Sequence, residues 1–322
     1  MSLLANLWIL LAQAASPGCG DIDGLIDAVD QGFKRGELEA AVSQADLGLS
    51  CSNATVDQRI ILHLKLSGIH DRIGLHTHSR PVAAALRHVE AALDMAEQAS
   101  PTIRSAVSLA EARYHYRAES PDSDFPTARE SCRSALAQFE ELGDFHGQAD
   151  AVHLLGLFHL QRREWPEARE YFDRSLELEQ QSGMPRPIFL ADYERHVGYL
   201  HQAAGELATA IVHFERSFII RRDSGLIDQS MFGAISFARV LVSAKRATEA
   251  RAPLDYALKT ADAIGSPEGR LRAGLVLGDM YDQLGEREAA IQAYEATLAL
   301  ARQRNRAPIV ERAITALARL RD

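Results

Sequence analysis

The chain has 322 residues, 47% hydrophobic and 25% charged, with a formal net charge of −9. Ala, Leu, Arg and Glu are prominent and β-branched runs are scarce, so an all-α fold with a large buried core is expected. The acidic balance, with no stripe of Lys and Arg interleaved with aromatics, argues against a nucleic-acid partner, because phosphate binding needs concentrated positive charge.

The first stretch, Leu3–Ala15, carries no charge. It is too short to span a bilayer and has the length of a signal-peptide apolar region. Small residues at Ala12, Ala14, Ala15 and Ser16 offer cleavage sites, so residues 1–16 read as an export signal and leave no stable membrane span in the mature chain. One feature departs from that anatomy: the first cation is Lys34. The alternative is a buried N-terminal helix.

Three cysteines follow, at 19, 51 and 132. Cys19 precedes a helical stretch ending near Gly36, and Cys51 follows a second one. In an antiparallel hairpin the start of the first helix lies beside the end of the second, so a Cys19–Cys51 bridge would close it. Such a bridge needs an oxidising compartment. The alternative is two unpaired surface thiols. Cys132 occupies a helix core position.

Residues 19–142 read as helix pairs of weak register. A helix is expected over about Gln58–Asp71, then a loop at GLHTHSRP, with Pro81 opening the next helix as proline does at a first helical position. Pro101 breaks the chain. A further pair covers about Thr102–Arg117 and Pro126–Leu142.

From residue 149 to 304 the register becomes strong. Gly156, Gly198, Ala238 and Gly278 are equivalent small residues on first helices, spaced 42, 40 and 40 apart. Twelve positions after each stands Ala168, Ala210, Ala250 or Ala290. Four further on comes Phe172, Phe214, Leu254 or Tyr294, and three more brings Ser175, Ser217, Ala257 or Thr297. Small residues on both helices let the backbones approach, and the bulky residue fills the space toward the next pair. One pair cannot bury its apolar face alone, so pairs stack.

These residues resemble the tetratricopeptide repeat. LLGLFHLQRREWPEAREYF matches its L-G-x-x-aromatic…A-x-x-x-F core with His159 in the aromatic place, and VGYLHQAAGELATAIVHF repeats it with His201 there. LGDMYDQLGEREAAIQAY matches best, with Tyr281 in that place. The period of about 40 exceeds the usual 34, and the early-helix Trp and terminal Pro of the consensus are missing. The resemblance implies a right-handed α-solenoid of roughly six or seven stacked antiparallel helix pairs. Residues 307–322 read as a C-terminal capping helix, with Arg312, Arg319 and Arg321 as polar cover.

The resemblance also implies that first helices line a concave groove, with exposed positions at fixed offsets. Carried onto this chain these are Asp150, His153, Leu157 and Leu160, then Asp192, Arg195, Tyr199 and Gln202. Phe232, Ile235, Arg239 and Val242 follow, and last Arg272, Leu275, Asp279 and Asp282. The middle of the set is apolar with a few flanking charges, the mark of a protein or peptide partner site. Arg195 and Arg239 could pair carboxylates or stack on aromatics. The alternative is that these residues pack within the superhelix.

No GxSxG elbow, Walker loop, HExxH or CxxC occurs, so no catalytic residues, cofactor or metal are expected. His70, Asp71, His76 and His78 have ligand chemistry but no fixed fourth group. The residues therefore point to a non-catalytic scaffold that is periplasmic or secreted. The alternative is a cytoplasmic array that responds to a ligand or peptide.

Overall fold

The computed structural model describes residues 19–77, 82–118 and 125–321, with the side chains of residues 75–77 and 82 excepted. The export-signal segment and His78 lie outside them. The described residues form fifteen α-helices and no strand. Three N-terminal pairs come first: α1 (Ile22–Arg35) with α2 (Leu38–Ser50), α3 (Val56–Thr77) with α4 (Val82–Met95), and α5 (Pro101–Ala118) with α6 (Pro126–Leu142). The four regular pairs follow: α7 (Phe145–Gln161) with α8 (Trp165–Gln181), α9 (Pro187–Ala203) with α10 (Leu207–Asp223), α11 (Ile227–Ser243) with α12 (Arg251–Ala263), and α13 (Pro267–Gln283) with α14 (Arg287–Gln303). Helix α15 (Ala307–Arg321) closes the array.

Local signals set the helix ends. Asp21, Asp144 and Ser266 cap α1, α7 and α13 by accepting from the backbone N–H three residues on, at 2.8, 3.0 and 3.1 Å. Pro101, Pro126, Pro187 and Pro267 open their helices, where the missing N–H costs nothing. Pro101 thus begins α5. Helix α3 continues past Asp71 to Thr77, through much of the stretch expected to be a loop. Gly74 there weakens a helix without ending it, whereas proline is what forbids continuation.

The regular first helices begin at Phe145, Pro187, Ile227, Pro267 and Ala307, steps of 42, 40, 40 and 40 residues. The long period is spent on helices of 17 residues in α7 to α11, α13 and α14. The small and bulky positions meet as the pattern requires. A Cβ on Gly278 would lie 2.5 Å from Tyr294 Cε1, one on Gly156 2.7 Å from Phe172 Cε1, and one on Gly198 3.3 Å from Phe214 Cδ2. Ala168, Ala210, Ala250 and Ala290 are all fully buried.

A disulfide joins Cys19 to Cys51, with Cα atoms 5.3 Å apart, and closes the α1–α2 hairpin. The Asn53 side chain donates to the Cys19 carbonyl at 2.6 Å across the same end. Cys132 is a free, buried thiol donating to the Ala151 carbonyl at 3.2 Å, and burial pushes it up to about 12. At the other end, Ile309, Ala313, Leu317 and Leu320 of α15 are buried. Its arginines reach back, Arg312 to Asp279, Arg319 to Asp282 and Arg321 to Glu295.

The array also curls back onto itself. Helix α1 touches α11, and α3 touches α13. Arg72 of α3 pairs with the buried Asp228 of α11, 156 residues further along. Gly36, in a left-handed conformation at the end of α1, lies beside Asp228 and Ile264.

The turns within the regular pairs place Arg163, Gly205, Lys245 and Gly285 at positive φ, of 61, 79, 63 and 75°. A side chain there costs about 1–2 kcal/mol relative to the right-handed region. Lys245→Gly is therefore expected to raise stability by up to about 1 kcal/mol. Gly278→Ala, which drives a methyl into the Tyr294 ring, is expected to lower it by about 1–3 kcal/mol. Urea unfolding of both variants checks the pair. An unchanged midpoint for Gly278→Ala would mean that the ring-on-glycine contact does not set the helix spacing.

Candidate functional site

The first helices of the regular pairs carry same-face residues at three- and seven-residue spacing, so each presents a stripe toward the inside of the curl. Three such stripes converge. Asp192, Arg195 and Tyr199 of α9, Phe232, Ile235 and Arg239 of α11, and Arg272 and Leu275 of α13 line one pocket of about 310 Å³. Three further arginines complete it: Arg72 from α3, Arg221 from α10 and Arg312 from α15. The repeat register could not indicate these three, because one sits on a second helix, one in the irregular N-terminal part and one on the cap.

The expected apolar centre is therefore corrected: six guanidiniums surround the aromatic and aliphatic side chains. Arg221 is 4% exposed and donates to Asp192 Oδ1 at 2.6 Å. Arg195 reaches the same oxygen at 3.2 Å, and its Nε is buried with no hydrogen-bond partner among the described residues. Burial alone would raise the Asp192 carboxyl, but Arg195 and Arg221 outweigh it and hold it below the usual carboxylate range. Burial pulls Arg221 down to about 10, which leaves it charged at neutral pH.

Two cations lie over the Phe232 ring. The guanidinium carbons of Arg72 and Arg272 lie 5.7 and 5.6 Å from its ring centroid. Burial would raise the Tyr199 phenol, yet Arg195 and Arg239, with hydrogen bonds from Ser236 and Arg239, bring it below its ordinary value. Arg272 pairs with the buried Glu268 at 2.5 Å, and Glu268 also holds Arg306 at 2.9 Å.

Several of the carried-over groove positions lie elsewhere. His153 is buried rather than exposed: its Nε2 is 2.7 Å from His196 Nδ1 and its Nδ1 3.3 Å from Ser175 Oγ. Its ring packs on Phe172 and Phe189, at centroid distances of 4.8 and 5.3 Å, so it belongs to the seam between pairs. Leu157 and Leu160 are half-buried against the cluster of Phe172, Tyr193 and Val197. Gln202 is half-buried near the end of α9 and does not line the pocket. Asp279 accepts from Tyr294 Oη at 2.6 Å and pairs with Arg312, so it touches the pocket through that arginine.

A second pocket, of about 360 Å³, lies between α3, α5 and α7. Its charges are matched: Arg117 pairs with Asp71, Arg113 with Asp150 at 3.2 Å, and Arg186 bridges Asp150 at 2.9 Å and Glu179 at 2.8 Å. Asp71, weighed above as a metal ligand, is thus held by Arg117. His70 stacks on His88 at 5.3 Å. Among the described residues no group of three or more His, Cys, Asp or Glu is arranged to hold a metal ion. No helix among them is long and apolar enough to cross a membrane.

Profiles of the tetratricopeptide repeat match residues 147–223 and 275–308. Tetratricopeptide repeat protein 29 of Trypanosoma brucei brucei is 26% identical over 151 residues, 47% of this chain and 31% of that protein. The chain thus spans about a third of the length of the curated relative it matches. A Rap protein complexed with competence and sporulation factor superposes with a TM-score of 0.54 at 13% identity, over 94% of this chain and 98% of that one. The Rap conjugation gene regulator of plasmid pLS20, solved with a Phr peptide, gives 0.56 at 11% identity, over 95% and 97%. At such identities the likeness is one of fold.

The buried histidines predict a pH dependence of stability. Burial pushes His153 down to about 4, against the lesser pull of Asp192 and Asp150, and takes His196 well below its ordinary value. Burial, with His63 and His70 beside it, takes His88 to about 4 as well. Unfolded, each titrates near 6.5, so between pH 6.5 and 4 the unfolded chain binds protons that the folded chain does not. Stability therefore falls as pH falls through this window, by about 3 kcal/mol from His153 alone once the fall is complete. Urea midpoints between pH 7 and 4.5 should drop, with a shallower slope in His153→Gln. An unaltered slope in that variant would remove His153 as a cause.

Proposed function

We propose that this chain, a tetratricopeptide-repeat protein, is a non-catalytic interaction scaffold that holds a peptide segment or protein surface on its concave side, at the pocket between α9, α11 and α13. The observation that carries this reading is the convergence of Arg195, Tyr199, Phe232, Ile235 and Arg239 from two successive first helices onto one pocket. Aromatic and arginine side chains are the types that dominate binding energy at interfaces. The two Rap proteins of similar fold are solved with competence and sporulation factor and with a Phr peptide, which supports an occupant of the same kind here. The lining offers guanidiniums, one carboxylate, aromatic rings and aliphatic side chains, a set suited to holding a partner. Closure by Arg72 favours the regulatory form of this reading, because an occupant that engages Arg72 bears on how α3 sits against α11.

The double variant Tyr199→Ala, Phe232→Ala is expected to lose the partner that the wild-type chain captures from its native host, with the helical circular dichroism unchanged. Retention of every wild-type partner by the double variant would move the binding site elsewhere.

We further propose that the protein works in an oxidising compartment, periplasmic or extracellular. The Cys19–Cys51 bond supports this, since such bonds persist outside reducing cytosol, as does the uncharged stretch from Leu3 to Ala15. Intact mass of the protein from its host should place the N-terminus near residues 14–16 and show a two-hydrogen gain on reduction. An uncleaved chain with free thiols would favour the cytoplasmic regulator instead.

A further inference from the structure

We infer that the arginine-lined pocket is a carboxylate-reading site, and that the part of the occupant entering it is an acidic side chain carried on apolar carbon. The inference rests on the groove reading above and narrows it to a ligand class.

The charge count carries it. Asp192 is shared by Arg195 and Arg221, and Glu268 by Arg272 and Arg306. Asp228 pairs with Arg72, and Asp279 with Arg312. Arg239 has the Tyr199 phenol beside it and pairs with no carboxylate among the described residues. Positive charge is thus in excess within a chain whose net charge is −9. A cleft of one sign with low-dielectric walls concentrates its field, so this excess acts on whatever enters.

Donor geometry agrees with the charge. Arg195 and Arg239 both line the pocket, so their guanidinium groups stand where a ligand carboxylate would enter. The planar guanidinium fork matches a carboxylate through two parallel hydrogen bonds. The neutral surfaces fit the rest of such a ligand: Ile235, Leu275 and Val276 line the pocket with aliphatic carbon, and Phe232 adds a ring that Arg72 and Arg272 lie over. The second pocket is an internal contrast. Its arginines meet Asp71, Asp150 and Glu179, so it has no such excess to offer an anion.

The test is equilibrium dialysis of the full chain against hexapeptide pools that differ at one fixed position. Three pools, acetylated and amidated at their ends, fix Glu, Gln or phosphoserine; a further Gln pool keeps its free C-terminal carboxylate. The Glu pool should be retained about 10-fold or more over the capped Gln pool, the size of a charged hydrogen bond. That preference should shrink at high salt, where screening weakens charge attraction. It should also be lost in Arg239→Gln and Arg195→Gln. Arg239 is exposed, so its replacement leaves the core intact. Equal retention of the free-acid Gln pool would support the carboxylate class and add the chain terminus as a source. Preference for the phosphoserine pool over Glu would overturn the carboxylate class. Equal binding of Glu and capped Gln pools would overturn the inference and leave the groove reading standing. Retention of no pool at all would overturn both.

Discussion

Three of the four regular helix pairs depend on one close fit: a second-helix ring pressed against a first-helix glycine. Phe172 on Gly156 and Tyr294 on Gly278 leave no room for a Cβ, and Phe214 on Gly198 leaves little. In the remaining pair Ala238 and Leu254, both fully buried, take the same places. Protein interiors are packed to crystal-like density, so a fit of this kind fixes how the two helices face each other rather than allowing a range. Repeated at steps of 42, 40 and 40 residues, it gives successive first helices the same inward face. The stripe convergence on the pocket, Tyr199 to Phe232 to Arg272, is the sum of those repeated fits.

Repetition alone would leave an open array. What turns it into an enclosure is the return of the N-terminal pairs, with α1 on α11 and α3 on α13. The Arg72–Asp228 pair is the charged centre of that contact, with Asp228 almost wholly buried. A buried ion pair is weak evidence for stability, because desolvating both charges offsets much of their attraction. Its stronger effect is on specificity: it ties α3 to one buried carboxylate of α11. Arg72 also lies over Phe232, so the contact that sets the closure sets one wall of the pocket too.

Much of this was legible in residues. The fixed offsets named the regular pairs and eight of the pocket-lining positions on α9, α11 and α13, because a helix of known register exposes a known face. What was not legible falls into two physical kinds. His153 obeys the same offset as Arg195, yet it lies beneath the surface, since its neighbours His196, Phe172 and Phe189 close over it. Periodicity reports direction from the helix axis and not depth of cover. The other kind is long-range. Nothing local in the stretch around Arg72 announces a partner 156 residues away, and Arg221 faces inward from a helix whose register predicts packing alone. Closure is a property of accumulated curvature, which no single repeat encodes.

Helix α3 deserves weight in any account of how the two pockets relate. Leu64, Ser67, Gly68 and Asp71 line one of them, and Arg72, the next residue, lines the other. Adjacent side chains on a helix point about 100° apart, so one helix can wall both spaces at once. On the matched side Asp71 is tied to Arg117 of α5, and on the cationic side Arg72 is tied to Asp228 of α11. The two ties hold consecutive residues from two different helices of the array. An occupant that competes for Arg72 therefore loads the same helix turn that holds Asp71. Coupling between two sites requires a shared element with differing contacts on each side, and α3 is an element that both pockets share.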